Sequence, residues 1–154
     1  MGEALRKRVK QARFNSPAQE ALINLLIAAS HVREQLDAAC CEFGITHGQY
    51  NVLRILRGVS PNGYARNEIT ERMIEKAPDV TRLVDRLEQQ GLVERRRSGE
   101  DRRQSITGIT QKGLDLIVQV DSRIKKVHED FRRKVSVENC RRLSQLCESI
   151  YGED

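Results

Sequence analysis

One stretch of the chain, residues 78–113, constrains the fold more than any other. It begins with a helical pattern over residues 78–90. The apolar residues that share one face of this helix are Val80, Leu83, Val84 and Leu87. Gly91 ends the helix, and two segments of extended character, 92–97 and 104–109, follow it. A charged turn that contains a glycine joins the two segments, so the stretch predicts a helix followed by a β-hairpin, called the wing below.

Another helical pattern lies upstream of this stretch. Thr46 and Gln49 form a capping-box pair, which predicts a helix that ends at Gly58. The apolar residues of that helix are Tyr50, Val52, Leu53 and Leu56. Residues 60–63 have the composition of a turn, and residues 64–66 are predicted to form a very short strand.

A third helix is predicted to begin with Asn67 as its cap. Ile69 and Met73 lie one turn apart on its buried side, and residues 74–77 connect it to the helix of residues 78–90. Two short helices joined by a brief turn, with polar side chains facing outwards on the second, are typical of a helix-turn-helix. The outward residues of the second helix are Asp79, Thr81, Arg82, Asp85, Arg86 and Gln89.

Long helices are predicted on both sides of this unit. Ser16 and Gln19 form another capping-box pair, which starts a helix over residues 17–43. Its apolar residues recur at steps of three and four, at Leu22, Leu25, Ala29, Val32, Leu36, Ala39 and Phe43. Thr110 and Ser136 each cap a further helix with an apolar face. Because the first helix is longer than a small core needs, we expect it to serve partly in a dimer, with packing inside the chain as the alternative.

The length and charge of the chain set broad limits. At 154 residues it is about one domain long, and Lys+Arg 27 against Asp+Glu 22 gives a formal net charge of +5, which mildly favours a polyanionic partner. Residues 1–15 are basic, with Glu3 as the single acidic residue. This segment is interpreted either as a frayed, solvated arm or as an extension that contacts DNA, and in neither case as core.

Composition also excludes several classes of protein. No apolar run reaches membrane-spanning length and the N-terminus lacks the apolar core of a signal peptide, so we expect a cytoplasmic protein without a membrane partner. The four cysteines are then expected to be reduced thiols. With 4% aromatic residues and no tryptophan, a single-strand binder based on stacking is disfavoured.

At this point the motifs resemble the MarR family of bacterial winged-helix regulators. The resemblance is carried by the segments 81–88 (TRLVDRLE), 91–95 (GLVER), 101–103 (DRR) and 109–113 (ITQKG). Two positions depart from the family pattern. Ile74 stands where many members have a small residue between the two helices, and Gly108 replaces a side chain in the second wing strand, which predicts a looser base of the wing.

The resemblance implies a mainly α fold with a small β-hairpin wing, a winged helix-turn-helix domain flanked by N- and C-terminal dimerisation helices. It divides the chain into three regions. Residues 1–15 form a basic N-terminal arm, and residues 16–44 together with 111–154 form a helical dimerisation region. Residues 45–110 form the DNA-binding lobe. The recognition helix is then residues 78–90 in the major groove, and the wing, 94–108, extends towards the minor groove. Arg103 matches the family's wing-tip arginine, and Asp101 matches the acid that orients the wing arginines.

The residues themselves also indicate contact with DNA. Arg82 and Arg86 are four residues apart and can reach a base or a phosphate from one helix face, although Asp79 or Asp85 can instead hold Arg82 in an ordinary ion pair. The wing arginines are Arg95, Arg96, Arg97, Arg102 and Arg103. Guanidinium groups at a hairpin tip suit a narrow, negative minor groove and predict salt-sensitive binding. The alternative is a solvated, charged hairpin.

Other chemistry is less strongly indicated. Cys40 and Cys41 are candidate redox sensors by family resemblance, whereas Cys140 and Cys147 are expected to be buried apolar filler. By resemblance, a cleft for a small aromatic effector would be lined by His31, Gln35, Tyr50 and Arg54. The three histidines are dispersed and no ligand spacing occurs, so neither a metal nor a cofactor is expected. No catalytic motif is present, so the protein is not expected to be an enzyme.

The sequence therefore predicts a homodimeric regulator of transcription, a repressor in our interpretation, that binds a palindromic operator in double-stranded DNA. A small aromatic ligand or an oxidant would release it. Two alternatives remain open at this stage: a winged-helix protein-interaction module without specific DNA readout, and a regulator switched by thiol oxidation.

Overall fold

The computed structural model describes residues 2–10, 13–75, 79–97 and 105–152. Its elements in chain order are α1 Glu3–Val9, α2 Pro17–Cys41, α3 His47–Val59, β1 Tyr64–Ala65, α4 Arg66–Arg72, α5 Val80–Gln89, β2 Val93–Arg97, β3 Ser105–Ile109, α6 Gln111–Lys134 and α7 Val137–Tyr151. The fold is mainly helical with one small antiparallel sheet of order β1-β3-β2, as predicted. Within the described ranges, no helix is both long enough and apolar enough to cross a membrane.

Side-chain caps start the helices where the sequence predicts them. The hydroxyl of Thr46 accepts a hydrogen bond from the backbone N–H of Gln49 at 3.2 Å, and the Gln49 side chain accepts one from the Thr46 N–H at 2.9 Å. The Thr110 hydroxyl likewise accepts from the Gly113 N–H at 3.1 Å. These bonds satisfy backbone donors that the first turn of a helix leaves unpaired, so short-range sequence signals are enough to set the helix starts.

Three local expectations are wrong in detail. Helix α3 continues past Gly58 to Val59. Helix α4 begins at Arg66, because the Glu68 side chain accepts a hydrogen bond from the Ala65 N–H at 2.9 Å and so makes Ala65 the residue before the helix instead of Asn67. Residues 1–15 are not simply a frayed arm, since Glu3–Val9 is helical and its Leu5 is only 5% exposed.

The core lies where α3 packs against α4, α5 and the middle of α6. The largest side chains that are completely buried there include Leu53, Leu56, Ile69, Leu87, Ile117 and Val120. Only the C-terminal end of α2 joins this core, through Ala39 and Cys40. The core therefore unites the segments of the predicted lobe and fixes the position of α5.

The sheet and two glycines attach the wing to this core. Strands β2 and β3 pair without interruption from Val93 opposite Ile109 to Arg97 opposite Ser105, so Gly108 causes no break in the register. Gly91 adopts a φ of +71°, the left-handed conformation that ends α5. A Cβ on Gly113 would lie 2.2 Å from the backbone oxygen of Leu92, so only glycine permits α6 to approach the start of the wing this closely.

Candidate nucleic-acid interface

Asp79 caps the start of α5 instead of projecting freely from it. Its carboxylate accepts a hydrogen bond from the Arg82 backbone N–H at 3.3 Å, and it also forms an ion pair with the Arg82 guanidinium at 3.1 Å. This is the alternative that the sequence left open for Arg82. The Arg82 side chain is 79% exposed, so the pair is weak and a stronger anion can replace Asp79 as its partner.

The outward face of α5 is otherwise open. Thr81, Arg86 and Gln89 are all exposed, on the side of the helix opposite to the buried residues Val84 and Leu87. The guanidinium of Arg86 forms no hydrogen bond or ion pair with another described residue. These three side chains are therefore available to a molecule that lies along the helix.

The Asp85 side chain points away from this face and binds an arginine of the wing. The Arg95 guanidinium of β2 forms ion pairs with the carboxylates of Asp85 and, at 2.6 Å, of Glu88. Two carboxylates on successive turns of α5 thus bind a single arginine of the wing, and the Arg95 side chain is one-third exposed. Asp85 and Arg95 were both predicted to contact DNA, but in this structure they form an ion pair that joins α5 to β2.

Arg96 is also engaged within the protein. Its guanidinium donates hydrogen bonds to the backbone oxygens of Pro61, at 2.7 Å, and of Asn62, in the turn that precedes β1. Arg97, at the end of β2, is exposed. Within the described part of β2, the arginine closest to the wing tip therefore remains the best placed for an external anion.

The most distal predicted contacts lie outside the described residues. These are Asp101, Arg102 and Arg103, together with the turn at residues 98–100. Residues 76–78, which lead into the recognition helix, also lie outside them.

Two polar side chains that the sequence did not single out as contacts lie next to α5. Arg66 and Asn67, at the start of α4, are exposed and share a cleft with Thr81. Asn67 was interpreted only as a helix cap. The sequence signal that could have revealed Arg66 and Asn67 is Glu68, because its side chain binds the Ala65 N–H and so starts α4 at Arg66.

The predicted effector residues do not share one cavity. Tyr50 is buried, and its hydroxyl donates a hydrogen bond to Asp121 on α6 at 2.6 Å, while the Arg54 guanidinium lies 6.0 Å from the Tyr50 ring. His31 is exposed on α2, and Gln35 lines a separate groove beside α6. Tyr50 is therefore part of the joint between α3 and α6.

Asp121 is the centre of that joint. It accepts hydrogen bonds from Tyr50 and, at 2.6 Å, from the Arg57 guanidinium. Burial alone would raise the pKa of Asp121, but these two hydrogen bonds outweigh burial and hold its pKa below the ordinary value. Burial, reinforced by the bond to Asp121, raises the pKa of Tyr50.

A small cavity of about 80 Å³ lies between α2, α3 and the turn after α4. An ion pair between Arg33 and Glu75, at 2.9 Å, lies beside it, and Asn51 accepts a hydrogen bond from the Ile74 N–H at 3.0 Å. Burial lowers the pKa of His47 in its wall, and the nearby Asp37 carboxylate only partly opposes this effect. The Ile74 position is thus held by a specific hydrogen bond despite its departure from the family pattern.

The two redox candidates differ sharply in environment. Cys40 is completely buried, and burial, with a smaller effect of the Asp37 carboxylate, raises the pKa of its thiol to about 12. Cys41 is exposed and lines a cleft with Arg86 and Gln89. Cys140 and Cys147 are only half-buried, so the prediction that they are buried filler is not met within the single chain.

Metal-binding side chains do not cluster in the described ranges: no group of three or more His, Cys, Asp or Glu residues there has the arrangement of a metal site.

Three helices, α3 to α5, followed by a two-stranded wing that α5 braces through ion pairs, define a winged helix-turn-helix protein. Comparisons with known proteins give the family. The model of the MarR family matches residues 45–105. The chain belongs to the MarR family of transcriptional regulators, whose members are DNA-binding proteins and not enzymes.

Individual relatives agree with this assignment. The uncharacterized HTH-type transcriptional regulator YwoH of Bacillus subtilis is 32% identical over 104 residues, which cover 68% of this chain and 71% of the relative. A MarR transcription factor from Planctomyces limnophilus is 34% identical, with a TM-score of 0.69 over 88% of this chain and 98% of its own. MepR of S. aureus, solved as a complex with DNA, shares the fold at 20% identity, with a TM-score of 0.72 over 90% of this chain and 97% of its own.

Proposed function

We propose that the protein is a homodimeric repressor that binds a palindromic operator. The observation that carries this proposal is the open face of α5, where Thr81, Arg86 and Gln89 are exposed beside the wing. An α-helix fits the major groove, and arginine and glutamine side chains can each bind two atoms of one base edge. MepR, which shares the fold, was solved in complex with DNA, and this supports DNA as the partner.

Exposed apolar surface on the terminal helices supports the dimer. The first half of α2 and the second half of α7 form an apolar groove of about 650 Å³. It is lined by Ala18, Ala21, Leu22, Asn24, Leu25, Ala28, Leu143, Leu146, Cys147 and Ile150. Such a patch is characteristic of an interaction site, and a second copy of the same patch would cover it under two-fold symmetry.

A two-fold dimer would present two copies of α5 to one side of a duplex. Their target would be an inverted repeat with half-sites about one helical turn, roughly 10 bp, apart. A dimer that covers its operator excludes other proteins from the promoter, which is why we favour repression over activation.

Selection of operator sequences from random duplexes tests the proposal. We expect the selected duplexes to share an inverted repeat and to bind less tightly as the salt concentration rises. Binding without any sequence preference would contradict it.

The alternative of a protein-interaction module is tested by Arg103→Ala. By family resemblance Arg103 enters the minor groove, so we expect Arg103→Ala to lose roughly 1–3 kcal/mol of operator binding, about five- to 150-fold, while the protein remains a dimer. If Arg103→Ala binds the operator as tightly as the native protein, the wing tip does not contribute to operator binding.

We further propose that an effector changes the spacing of the two lobes. Of the two thiols Cys41 is the better candidate for an oxidant, because it is exposed and lines the same cleft as Arg86, whereas the raised pKa of Cys40 opposes formation of the reactive thiolate. Peroxide should then release DNA from the native protein and from Cys40→Ser, but not from Cys41→Ser. For an aromatic effector, titration with phenolic carboxylates during operator binding provides the test.

A further inference from the structure

A polar cleft lies between the start of α4, the recognition helix and the sheet. It has a volume of about 640 Å³ and is open to solvent. Its walls are formed by Arg66 and Asn67 of α4, Thr81 and Val84 of α5, and Ala65, Arg95, Ser105 and Thr107 of the sheet. The cleft thus continues the open face of α5 towards the wing.

Arg66 carries the uncompensated positive charge among the described residues of this cleft. Of the lining residues that the structure describes, Arg66 and Arg95 are charged, and Asp85 and Glu88 offset the charge of Arg95. The Arg66 guanidinium forms no hydrogen bond or ion pair with another residue that the structure describes. An exposed arginine therefore lines a groove whose described residues include no carboxylate.

The neutral side chains beside Arg66 are suited to an anion as well. Asn67, Thr81 and Ser105 are exposed and carry an amide or a hydroxyl that can donate a hydrogen bond. They come from three different elements, so they surround the cleft instead of lying in one row.

The position of the cleft next to α5 indicates that the anion is the backbone of a DNA duplex. The proposed function brings a duplex onto Thr81, Arg86 and Gln89, and double-stranded DNA carries one phosphate charge per roughly 1.7 Å of its axis. A strand that passes from α5 to the wing crosses the mouth of the cleft. Arg66 lies on the helix before the recognition helix, where contacts to the backbone, and not to base edges, are typical.

We propose that Arg66, with Asn67, Thr81 and Ser105 around it, binds a phosphate of the operator backbone and so fixes the depth of α5 in the groove. This inference rests on the proposed function. The phosphate contact adds affinity for every duplex and carries no sequence preference of its own.

Arg66→Gln and Arg66→Lys form the test, with Arg132→Gln in the last turn of α6 as a control that removes the same charge at an exposed position away from the cleft. The dissociation constant is measured for a selected operator and for a random duplex at several salt concentrations. We expect Arg66→Gln to weaken both complexes by a similar factor of about ten and to reduce the slope of log affinity against log salt by roughly one per contact. Arg66→Lys should retain most of the slope, and Arg132→Gln should change neither quantity.

The other outcomes separate the inference from the function on which it rests. Selective binding by the native protein with an unchanged affinity and salt slope in Arg66→Gln would overturn the inference alone. So would a loss confined to the selected operator, because that result would make Arg66 a reader of bases. A native protein that binds both duplexes equally would overturn the proposed function, while an equal loss in Arg66→Gln would still support the phosphate contact.

Discussion

The two ends of helix α2 have the same apolar periodicity but different surroundings. At its C-terminal end Ala39 is 8% exposed and Cys40 is completely buried, because α3 and α6 pack over them. At its N-terminal end Leu22, which lines the apolar groove between α2 and α7, is 59% exposed. One helix therefore completes the core of the DNA-binding lobe and also carries a surface that the single chain leaves uncovered.

The same contrast separates the lobe from the last helix. Helices α3 to α5 bury their apolar residues on each other, and α3 also packs on α6, whereas no residue of α7 is buried. A helix that exposes an apolar face gains stability mainly from tertiary packing, so α7 requires a partner that the lobe does not. In our account this partner is a second copy of the chain.

The largest effect is expected at the uncovered surface. Leu22→Asp places a charge in the apolar groove of α2 and α7 and, since two-fold symmetry counts each change twice, should weaken the dimer at least about 100-fold. Sedimentation equilibrium measures the change. Leu26→Asp is the matched control, since Leu26 lies one turn further along α2 and outside the groove. An equal effect of both substitutions would show that the groove is not the dimer contact.

The joint between the lobe and α6 is the next place to test. Asp121→Ala leaves the buried Tyr50 hydroxyl and the Arg57 guanidinium without their shared acceptor, so we expect a loss of about 1–3 kcal/mol in the free energy of unfolding. Urea denaturation measures it. Asp115→Ala on the exposed face of the same helix should cost less than about 0.5 kcal/mol. Equal losses of unfolding free energy in the two variants would show that the hydrogen bonds of Asp121 do not stabilise the fold more than an exposed carboxylate does.

The same joint predicts a pH dependence. The pKa of Asp121 is lower in the folded protein than its ordinary value of 3.8, so the unfolded chain binds a proton more readily. The stabilisation is complete above about pH 4 to 5 and is lost as the pH falls through the folded pKa. Unfolding free energies of the native protein and Asp121→Asn should therefore converge in strong acid. A constant difference at all pH values would contradict this.

Within the lobe, the wing arginines divide by role. Arg97→Ala should weaken operator binding about tenfold and reduce the salt slope, because Arg97 is exposed and has no ion-pair partner among the described residues. Arg95→Ala should weaken binding by a smaller factor with little change in slope, because Arg95 acts by holding the wing to α5. Fluorescence anisotropy across a salt series separates the two. A reduced slope in Arg95→Ala would show that Arg95 leaves its ion pairs to bind DNA.

The smallest effect is expected at the contact of α2 with α3. His47 has a lowered pKa in the folded protein, so its protonation favours unfolding, and the stability should fall as the pH drops below about 6.5. In His47→Gln this decline should be weaker between pH 7 and 5. Chemical denaturation at each pH measures it, and an identical profile for both proteins would contradict the assignment.

The sequence predicts those features of the fold that depend on short-range signals. Thr46, Thr110 and Ser136 cap helices as predicted, and Gly91 ends α5, because each of these acts on backbone groups within a few residues. The start of α4 was misplaced for a related reason. Asn67 is a good capping residue, but the Glu68 carboxylate binds the Ala65 N–H and decides the start.

The candidate site is predicted less completely, because its side chains have partners distant in the sequence. Arg95 meets Asp85 and Glu88 across the end of α5, and Arg96 meets the backbone oxygens of Pro61 and Asn62. A run of arginines looks uniform in the sequence. When the wing packs on the lobe, some of these arginines, Arg95 and Arg96, bind groups of the lobe and support the wing, whereas Arg97 stays exposed.

The number of chains on one operator tests the central claim that the lobe is complete alone while the terminal helices need a second copy. Sedimentation of the protein with a duplex that contains both half-sites should give two chains per duplex, and Leu22→Asp should bind the same duplex far more weakly. A single native chain bound tightly to a duplex with one half-site, with no loss in Leu22→Asp, would contradict it.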